Sequence, residues 1–332
     1  MADQQHLPHQ LPAAAAPQSR TAARSWSARV LSLLPFLLLL LAAGLIASQV
    51  RRPAALLTTW VPWIEIATIA VSMTPIVMLG GIDLSVGSAF ALTASVFAFC
   101  LQTGTGTLPA IAIAVMAGTA CGSLNGTLIA RGSPPLLVTL ASMALFRGLT
   151  MSLFGGERIL VEQSFQLPGL LQLRPQYYLL LLVLAALQII VHHRVLGRWI
   201  LATGENRTAA RIAGVPDRRV DLLCYATCGF VVGLVAVLNV MQHNVAVPDA
   251  GLGMELQAIA CIIVGGTVIT GGRGRISGTL LGAAVVSSLD IALNFLSTRF
   301  PVISLESRMI VTGILLIGIA VSTQKTAGTH PE

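Results

Sequence analysis

The chain has 332 residues, of which 55% are hydrophobic and only 10% charged, with a formal net charge of +7. A mean hydropathy of +0.82 is too high for an ordinary soluble domain, and at roughly 20 residues per span the length suits about eight to ten membrane helices with short loops. That leaves no room for a soluble nucleotide-binding module, and neither a Gly-x-x-x-x-Gly-Lys-Ser/Thr loop nor a His-Glu-x-x-His pair occurs.

The basic excess does not point to nucleic acid, because the arginines are spread between apolar runs rather than gathered on one face. They fit the positive-inside bias of membrane loops. Cys100, Cys121, Cys224, Cys228 and Cys261 all sit in apolar stretches. Cys224 and Cys228 have helical i, i+4 spacing but no His or carboxylate to complete a metal set, so buried thiols are expected.

Residues 1–29, rich in Gln, Ala, Pro, Ser and Arg, read as a disordered tail. Residues 30–50 are uncharged and flanked by Arg24, Arg29, Arg51 and Arg52. They are too long, and too far from the start, for a signal peptide, and so are expected to form a first membrane helix. Further spans are expected at 63–81, 84–101, 108–130, 135–153 and 177–195, then at 221–241, 256–271, 275–297 and 302–321. The tenth is followed by a short tail, 323–332. The expectation is an all-α polytopic membrane bundle of about ten spans, some discontinuous.

Loop charge sets the orientation. With the tail inside, the same side receives Arg131, Arg194, Arg198, Arg207, Arg211, Arg218, Arg219, Arg273, Arg275 and Lys325. The other side receives Arg51, Arg52, Arg158, Arg174 and Arg299. Both termini are therefore expected in the cytoplasm, with Arg51 and Arg52 against the trend.

Within the apolar run, Gly80-Gly81-Ile82-Asp83-Leu84-Ser85-Val86-Gly87-Ser88 is a glycine-rich break carrying the one charged side chain between residues 66 and 130. An aspartate at a bilayer centre costs roughly 2.5–3.5 kcal/mol, so its presence there suggests function. The Gly-Gly kink frees backbone groups suited to a hydroxyl-rich ligand, and Asp83 and Ser85 come directly after it. Asp83 is equally suited to accept amide protons at the start of the next helix. A weak internal echo occurs later, where Gly265 and Gly266 lead through Gly271-Gly272-Arg273-Gly274 into Ser277-Gly278-Thr279 and another apolar run. Paired glycine-interrupted spans in two halves mark a transport pathway, although glycines also let helices pack closely. Gly80, Gly81, Asp83, Ser85, Gly265 and Gly266 are the candidate pathway residues.

Residues 197–215 carry mixed charge between spans. Asn206 is placed to cap a short helix of Ala and Arg that Gly214 ends. That helix would present Arg207 and Arg211, spaced i, i+4, as a ridge on the cytoplasmic face.

Residues 80–88, 204–215 and 265–282, together with Asn125-Gly126-Thr127-Leu128-Ile129, Leu137-Val138-Thr139-Leu140 and Arg147-Gly148, resemble the hallmark segments of ribose/xylose/arabinose-type ABC sugar permeases. The resemblance runs in order from about residue 60 to 320. It implies an importer subunit: two permease chains forming the pore, an ATPase with two nucleotide-binding modules docked below, and a periplasmic binding protein delivering the solute. It maps the family's coupling element onto Gly204, Glu205, Asn206, Arg207, Ala210, Arg211 and Gly214. The sequence departs from that family at Thr208, where a glutamate is usual, and at Pro135-Leu136-Leu137-Val138, where Pro-Ala-Phe-Ile is favoured. The resemblance places the chain in a bacterial inner membrane, among lipid, with ATP hydrolysis in a separate subunit and no cofactor of its own.

Other polar residues have plainer expectations. His192 and His193 sit at a helix end, Gln257 and Asn294 suit interhelical hydrogen bonds, and Glu65 and Asp290 face either the pathway or a neighbouring helix. His243 falls in an outer loop, 242–255, where a binding protein would dock. The competing reading is an ion-coupled secondary transporter, but Glu65, Asp83 and Asp290 are scattered, with no His or Lys nearby in sequence. An intramembrane enzyme would need a Ser–His, paired-Asp or metal-ligand spacing that the sequence does not offer.

Overall fold

The structure, a computed structural model, describes residues 53–162, 165, 175–299 and 313. The expected spans at 30–50 and 302–321 and the tails 1–29 and 323–332 lie outside these residues, Gly313 aside. In chain order the elements are α1 (Pro53–Met78), α2 (Val86–Gln102), α3 (Thr107–Ala130), α4 (Pro135–Phe154), β1 (Ile159–Leu160), α5 (Pro175–His193) and α6 (Val195–Glu205). They continue with α7 (Arg207–Ile212), α8 (Asp217–His243), β2 (Val245–Ala246), α9 (Met254–Val264) and α10 (Ile276–Arg299).

Among the described residues, six helices are long and apolar enough to cross a membrane: the Trp60–Met78 part of α1, then α3, α4, α5, α8, and the Ile276–Leu293 part of α10. The apolar helices α2 and α9 are shorter. Among the described residues the expected spans thus become six of crossing length and two short ones. The helix expected over 256–271 stops at Val264, because the chain turns at Gly265 and Gly266 rather than continuing the hydrogen-bond ladder.

The burial of α1 makes it the central element. Its spanning window is 89% buried, against 28% for those of α4 and α5. It packs against α5, α8, α9 and α10, with Ile69, Met73 and Ile76 fully enclosed. The outer helices expose leucines, among them Leu136, Leu140, Leu181 and Leu182, as lipid-facing helices do. The closest pairing joins α3 to α8. Gly118, Gly122 and Gly126, one turn apart on α3, meet Gly233, Gly229 and Tyr225 on α8. Small residues at this spacing let two backbones approach, which supplies dispersion contact that lipid tails cannot match.

Two ends of the bundle can be told apart. At one, β1 and β2 pair antiparallel, with Ile159 opposite Ala246 and Leu160 opposite Val245. Gln102 Nε2, at the end of α2, donates to the Leu160 carbonyl at 3.1 Å. At the other end lies the surface helix α7, between α6 and the start of α8.

Candidate functional site

Both predicted breaks begin with the same backbone device. After α1, the Gly80 N–H donates to the Val77 carbonyl and the Gly81 N–H to the Ile76 carbonyl, both at 2.9 Å, with Gly80 at φ +80°. After α9, Gly266 donates to Ile263 at 2.9 Å and Thr267 to Ile262 at 3.2 Å, with Gly266 at φ +83°. This is the Schellman arrangement, and its left-handed position favours glycine. The two breaks then part. Residues 79–85 re-enter the bundle directly and start α2, whereas 265–275 run at the α7 end before α10 begins.

In the first break, Asp83 and Ser85 are both about 2% exposed. Asp83 Oδ1 accepts the Ser85 N–H at 2.9 Å and the Ser85 hydroxyl at 2.7 Å. Asn125 Nδ2, from α3, donates to Ser85 Oγ at 2.8 Å, and Ser88 Oγ donates to the Ser85 carbonyl at 2.9 Å. The Ile82 carbonyl, freed by the kink, accepts from Thr139 Oγ1 at 3.2 Å and lies 3.5 Å from the Tyr225 hydroxyl. The carboxylate that opened two readings in the sequence therefore closes a local turn ahead of α2 and belongs to a network spanning α2 and α3. Asn125 and Thr139 stand in segments that carry the family resemblance, but nothing in the sequence ties them to Asp83 and Ser85, and Tyr225 reads as an ordinary polar residue in an apolar helix.

The second break meets the first, and both meet the end of α6. The Gly272 N–H donates to the Met78 carbonyl at 2.9 Å. A Cβ on Gly80 would lie 3.1 Å from the Thr270 carbonyl oxygen, and one on Gly271 would lie 2.8 Å from the Gly80 nitrogen and 2.9 Å from the Gly204 carbonyl. Gly204 is packed so closely on Met78 and Gly272 that a side chain there would strike both backbones. Gly80, Gly204, Gly271 and Gly272 thus form one backbone node. Gly81 lies against Tyr225 and Gly265 packs on Gly278 and Gly282 of α10; Glu205 adjoins the node, its Cα 3.1 Å from where a Cβ on Gly272 would lie, whereas a Cβ on Gly266 would meet nothing within 4 Å.

The surface segment folds as its sequence directs. Asn206 Oδ1 accepts the Ala209 N–H at 3.0 Å, an N-cap for α7, and Gly214 at φ +83° ends the helix. Ala210 is buried and seats α7 on the bundle. The arginines, however, do not stand free as a ridge. Arg207 makes a bidentate bond to Asp221, Nη1 to Oδ2 at 2.6 Å and Nη2 to Oδ1 at 2.9 Å, and Arg211 Nη2 donates to Asp217 Oδ2 at 2.7 Å. The Asp221 side chain is 1% exposed, and its bond holds the Arg207 guanidinium above its usual pKa. What α7 presents outward is Thr208, Ala209, Arg211 and an 84% exposed Ile212. The two aspartates were missed in the sequence, although Asp217 and Asp221 match the i, i+4 spacing of Arg207 and Arg211.

Elsewhere, Glu65 is buried and Oε2 accepts from Asn239 Nδ2 at 2.9 Å, tying α1 to α8, so it faces a neighbouring helix. The Gln176 amide donates to Gln242 beside it. Four of the five cysteines are buried and Cys100 is half-buried, all as free thiols. Among the described residues, no group of three or more His, Cys, Asp or Glu side chains is placed to hold a metal ion.

A polytopic bundle with broken helices, internal backbone nodes and a capped surface helix is the architecture of a membrane permease. The family described as branched-chain amino acid transport system / permease component matches residues 55–320, and the chain belongs to it. The chain is 35% identical over 269 residues to the ribose import permease protein RbsC of Escherichia coli strain K12, covering 78% of this chain and 82% of that one. It is 34% identical to RbsC of Bacillus subtilis, over 78% and 81% of the two chains. It is 31% identical to the L-arabinose ABC transporter permease protein AraH of Azospirillum brasilense, over 76% and 75%. No solved structure gives a significant match. With six apolar helices of crossing length among the described residues, the chain is a multi-pass membrane permease.

Proposed function

We propose that the chain is the membrane permease subunit of an ATP-driven importer for a monosaccharide or a related polyhydroxylated solute. The observation that carries this reading is the joining of family membership over residues 55–320 to a capped surface helix anchored on a spanning helix. Relatives named for ribose import, L-arabinose ABC transport and fructose import support the solute class. A separate ATPase subunit with tandem nucleotide-binding modules supplies the energy, a periplasmic binding protein delivers the solute, and a second permease chain completes the pore. The chain lies in a bacterial inner membrane with both termini in the cytoplasm, and the matched caps at Gly80 and Gly266 support a repeated architecture.

In this reading α7 docks on the ATPase through Ile212 and its neighbours, and residues 204–214 couple that docking to the pathway. Closure of the ATPase pushes α7, and the push has two routes inward. One runs through Arg207 to Asp221 and, one turn further along α8, to Tyr225 beside the Ile82 carbonyl. The other runs through Gly204 to Met78 and Gly272. Gly80, Gly81, Asp83 and Ser85 hold the shape of the first break, and Gly265 and Gly266 that of the second. Co-purification from detergent-solubilised membranes tests the reading. A tandem-module ATPase should accompany the tagged chain, and uptake should stop when ATP is depleted. Recovery of this chain alone, with uptake that survives ATP depletion but collapses with an uncoupler, overturns it in favour of an ion-coupled transporter.

A further inference from the structure

The segment between β2 and α9, expected to be an outer loop, runs deep into the bundle. Gly251, at φ +75°, lies against the first turn of α2, where a Cβ on it would be 2.5 Å from the Gly87 carbonyl oxygen. Gly87 stands in the first turn of α2 and Gln102 at its end, about 22 Å away along the helix at roughly 1.5 Å per residue. Gln102 is bonded to the β1 strand, so Gly251 lies toward the far end of α2 from the sheet; the five residues from Ala246 to Gly251, which include a turn closed by the Ala250 N–H on the Val247 carbonyl, reach at most about 18 Å, and they bring the chain inside a hydrocarbon layer of about 30 Å. From there α9 carries the chain on to the Gly265–Gly272 contacts at the α7 end. Residues 247–264 are therefore a re-entrant loop that leads into a half-length helix.

The polar groups on this segment are arranged unlike those of the first break. Arg147, from the middle of α4, donates from Nη1 to the Pro248 carbonyl at 2.5 Å and to the Ala250 carbonyl at 3.0 Å, and so pins the loop at depth. Glu255 Oε1 accepts the Gly253 N–H at 3.2 Å and is half-buried. Asp249 and Gln257 are exposed, beside exposed Leu252 and Leu256. Asp83 and Ser85, by contrast, are enclosed and bonded to each other. Irregular backbone and exposed carboxylates are tolerated at membrane depth where they line a water-filled space.

We propose that Asp249, Glu255 and Gln257 form part of the wall of the solute path, with Arg147 as the residue that positions it. The inference rests on the permease reading. The ligand chemistry it implies is that of a neutral polyol: hydroxyls donate to the two carboxylates and accept from the Gln257 amide, while Leu252 and Leu256 offer apolar contact to the carbon face of a ring. The first break then shapes the bundle rather than contacting the solute.

The test uses the full transporter complex in membrane vesicles and single cysteines at Asp249, Gln257 and Leu181, the last on the exposed apolar face of α5. The unmodified chain serves as background for its native cysteines. A small positively charged methanethiosulfonate should modify Asp249→Cys and Gln257→Cys at least about tenfold faster than Leu181→Cys, because hydrocarbon excludes a fixed charge. Labelling of both sites as slow as at Leu181 overturns the wall assignment. The labelling needs no solute, so it stands apart from the importer reading, which fails instead if the unmodified complex shows no ATP-dependent uptake. In a second measurement, Arg147→Gln should speed or slow labelling at Asp249→Cys while the Leu181→Cys rate stays unchanged. An unchanged rate at Asp249→Cys contradicts the positioning role.

Discussion

At residues 79–85 the chain leaves α1 through a left-handed glycine and fills the gap with its own side chains, so that Asp83, Ser85 and Asn125 bond to one another inside the bundle, with the buried Asn125 Oδ1 left without a partner. At residues 265–275 it leaves α9 through the same kind of cap, but Gly266, Thr270, Arg273 and Arg275 stay exposed and the backbone closes against Gly80 and Gly204. A shared helix cap thus fixes only where a helix stops. The path of the chain beyond the cap is decided by which partners lie within reach: Asn125 on α3 for the first break, and the end of α6 for the second. One break is a sealed joint within the bundle and the other is a joint between the bundle and its surface helix.

Substitutions at the two joints should separate accordingly. The largest effect is expected at the surface joint. Gly204→Val forces a side chain into the Met78 and Gly272 backbones, and such overpacking costs about 1–3 kcal/mol or more. ATP-driven uptake in vesicles should fall about tenfold or more while the chain still inserts in the membrane. Uptake at the wild-type rate would show that the α6 end does not belong to the joint.

Next comes the tether of α7. Asp221→Ala removes both acceptors of the Arg207 guanidinium, which is itself partly open to water, so the loss should be about 1–3 kcal/mol and visible as a lowered Tm of the purified complex. The exchange Arg207→Asp with Asp221→Arg should recover part of that loss, whereas Arg207→Glu with Arg211→Glu sets four carboxylates together and should abolish coupled uptake. A double exchange no better than Asp221→Ala alone would show that the ion pair does not hold α7 in place.

The sealed joint should respond less. Asp83→Asn keeps an acceptor for Ser85 and should lower stability by about 0.5–1.5 kcal/mol, with uptake reduced only in proportion to folded protein. Loss of all uptake from a normally folded Asp83→Asn complex would instead make the carboxylate a solute contact. The smallest effect on stability belongs to Ile212→Ser, within about 0.5 kcal/mol because the side chain touches little of its own chain. Its effect should appear as weaker co-purification of the ATPase.

Much of this was legible in the sequence. The break at Gly80, the cap at Asn206 and the stop at Gly214 all arise from local chemistry, in which a residue signals its own backbone geometry. The resemblance to sugar permeases, resting on several segments in register, agrees with the family that residues 55–320 match. What local signals could not give was who faces whom. Arg207 and Arg211 looked like free cations because Asp217 and Asp221 are separated from them by a glycine turn, and only folding sets the two i, i+4 pairs side by side. Residues 247–253 looked like an outer loop because a polar, glycine-rich stretch reads as surface. Their depth is set by the Gly87–Gly251 contact, which no periodicity announces.

Whether α7 is the point at which a separate ATPase grips this chain can be decided by cross-linking from a single cysteine at Ile212 in the assembled complex. If it is, Ile212→Cys captures the ATPase subunit, and a cysteine at Leu160, on the exposed strand at the opposite end, does not. Capture of the ATPase from Leu160→Cys and not from Ile212→Cys would contradict both the docking helix and the orientation built upon it.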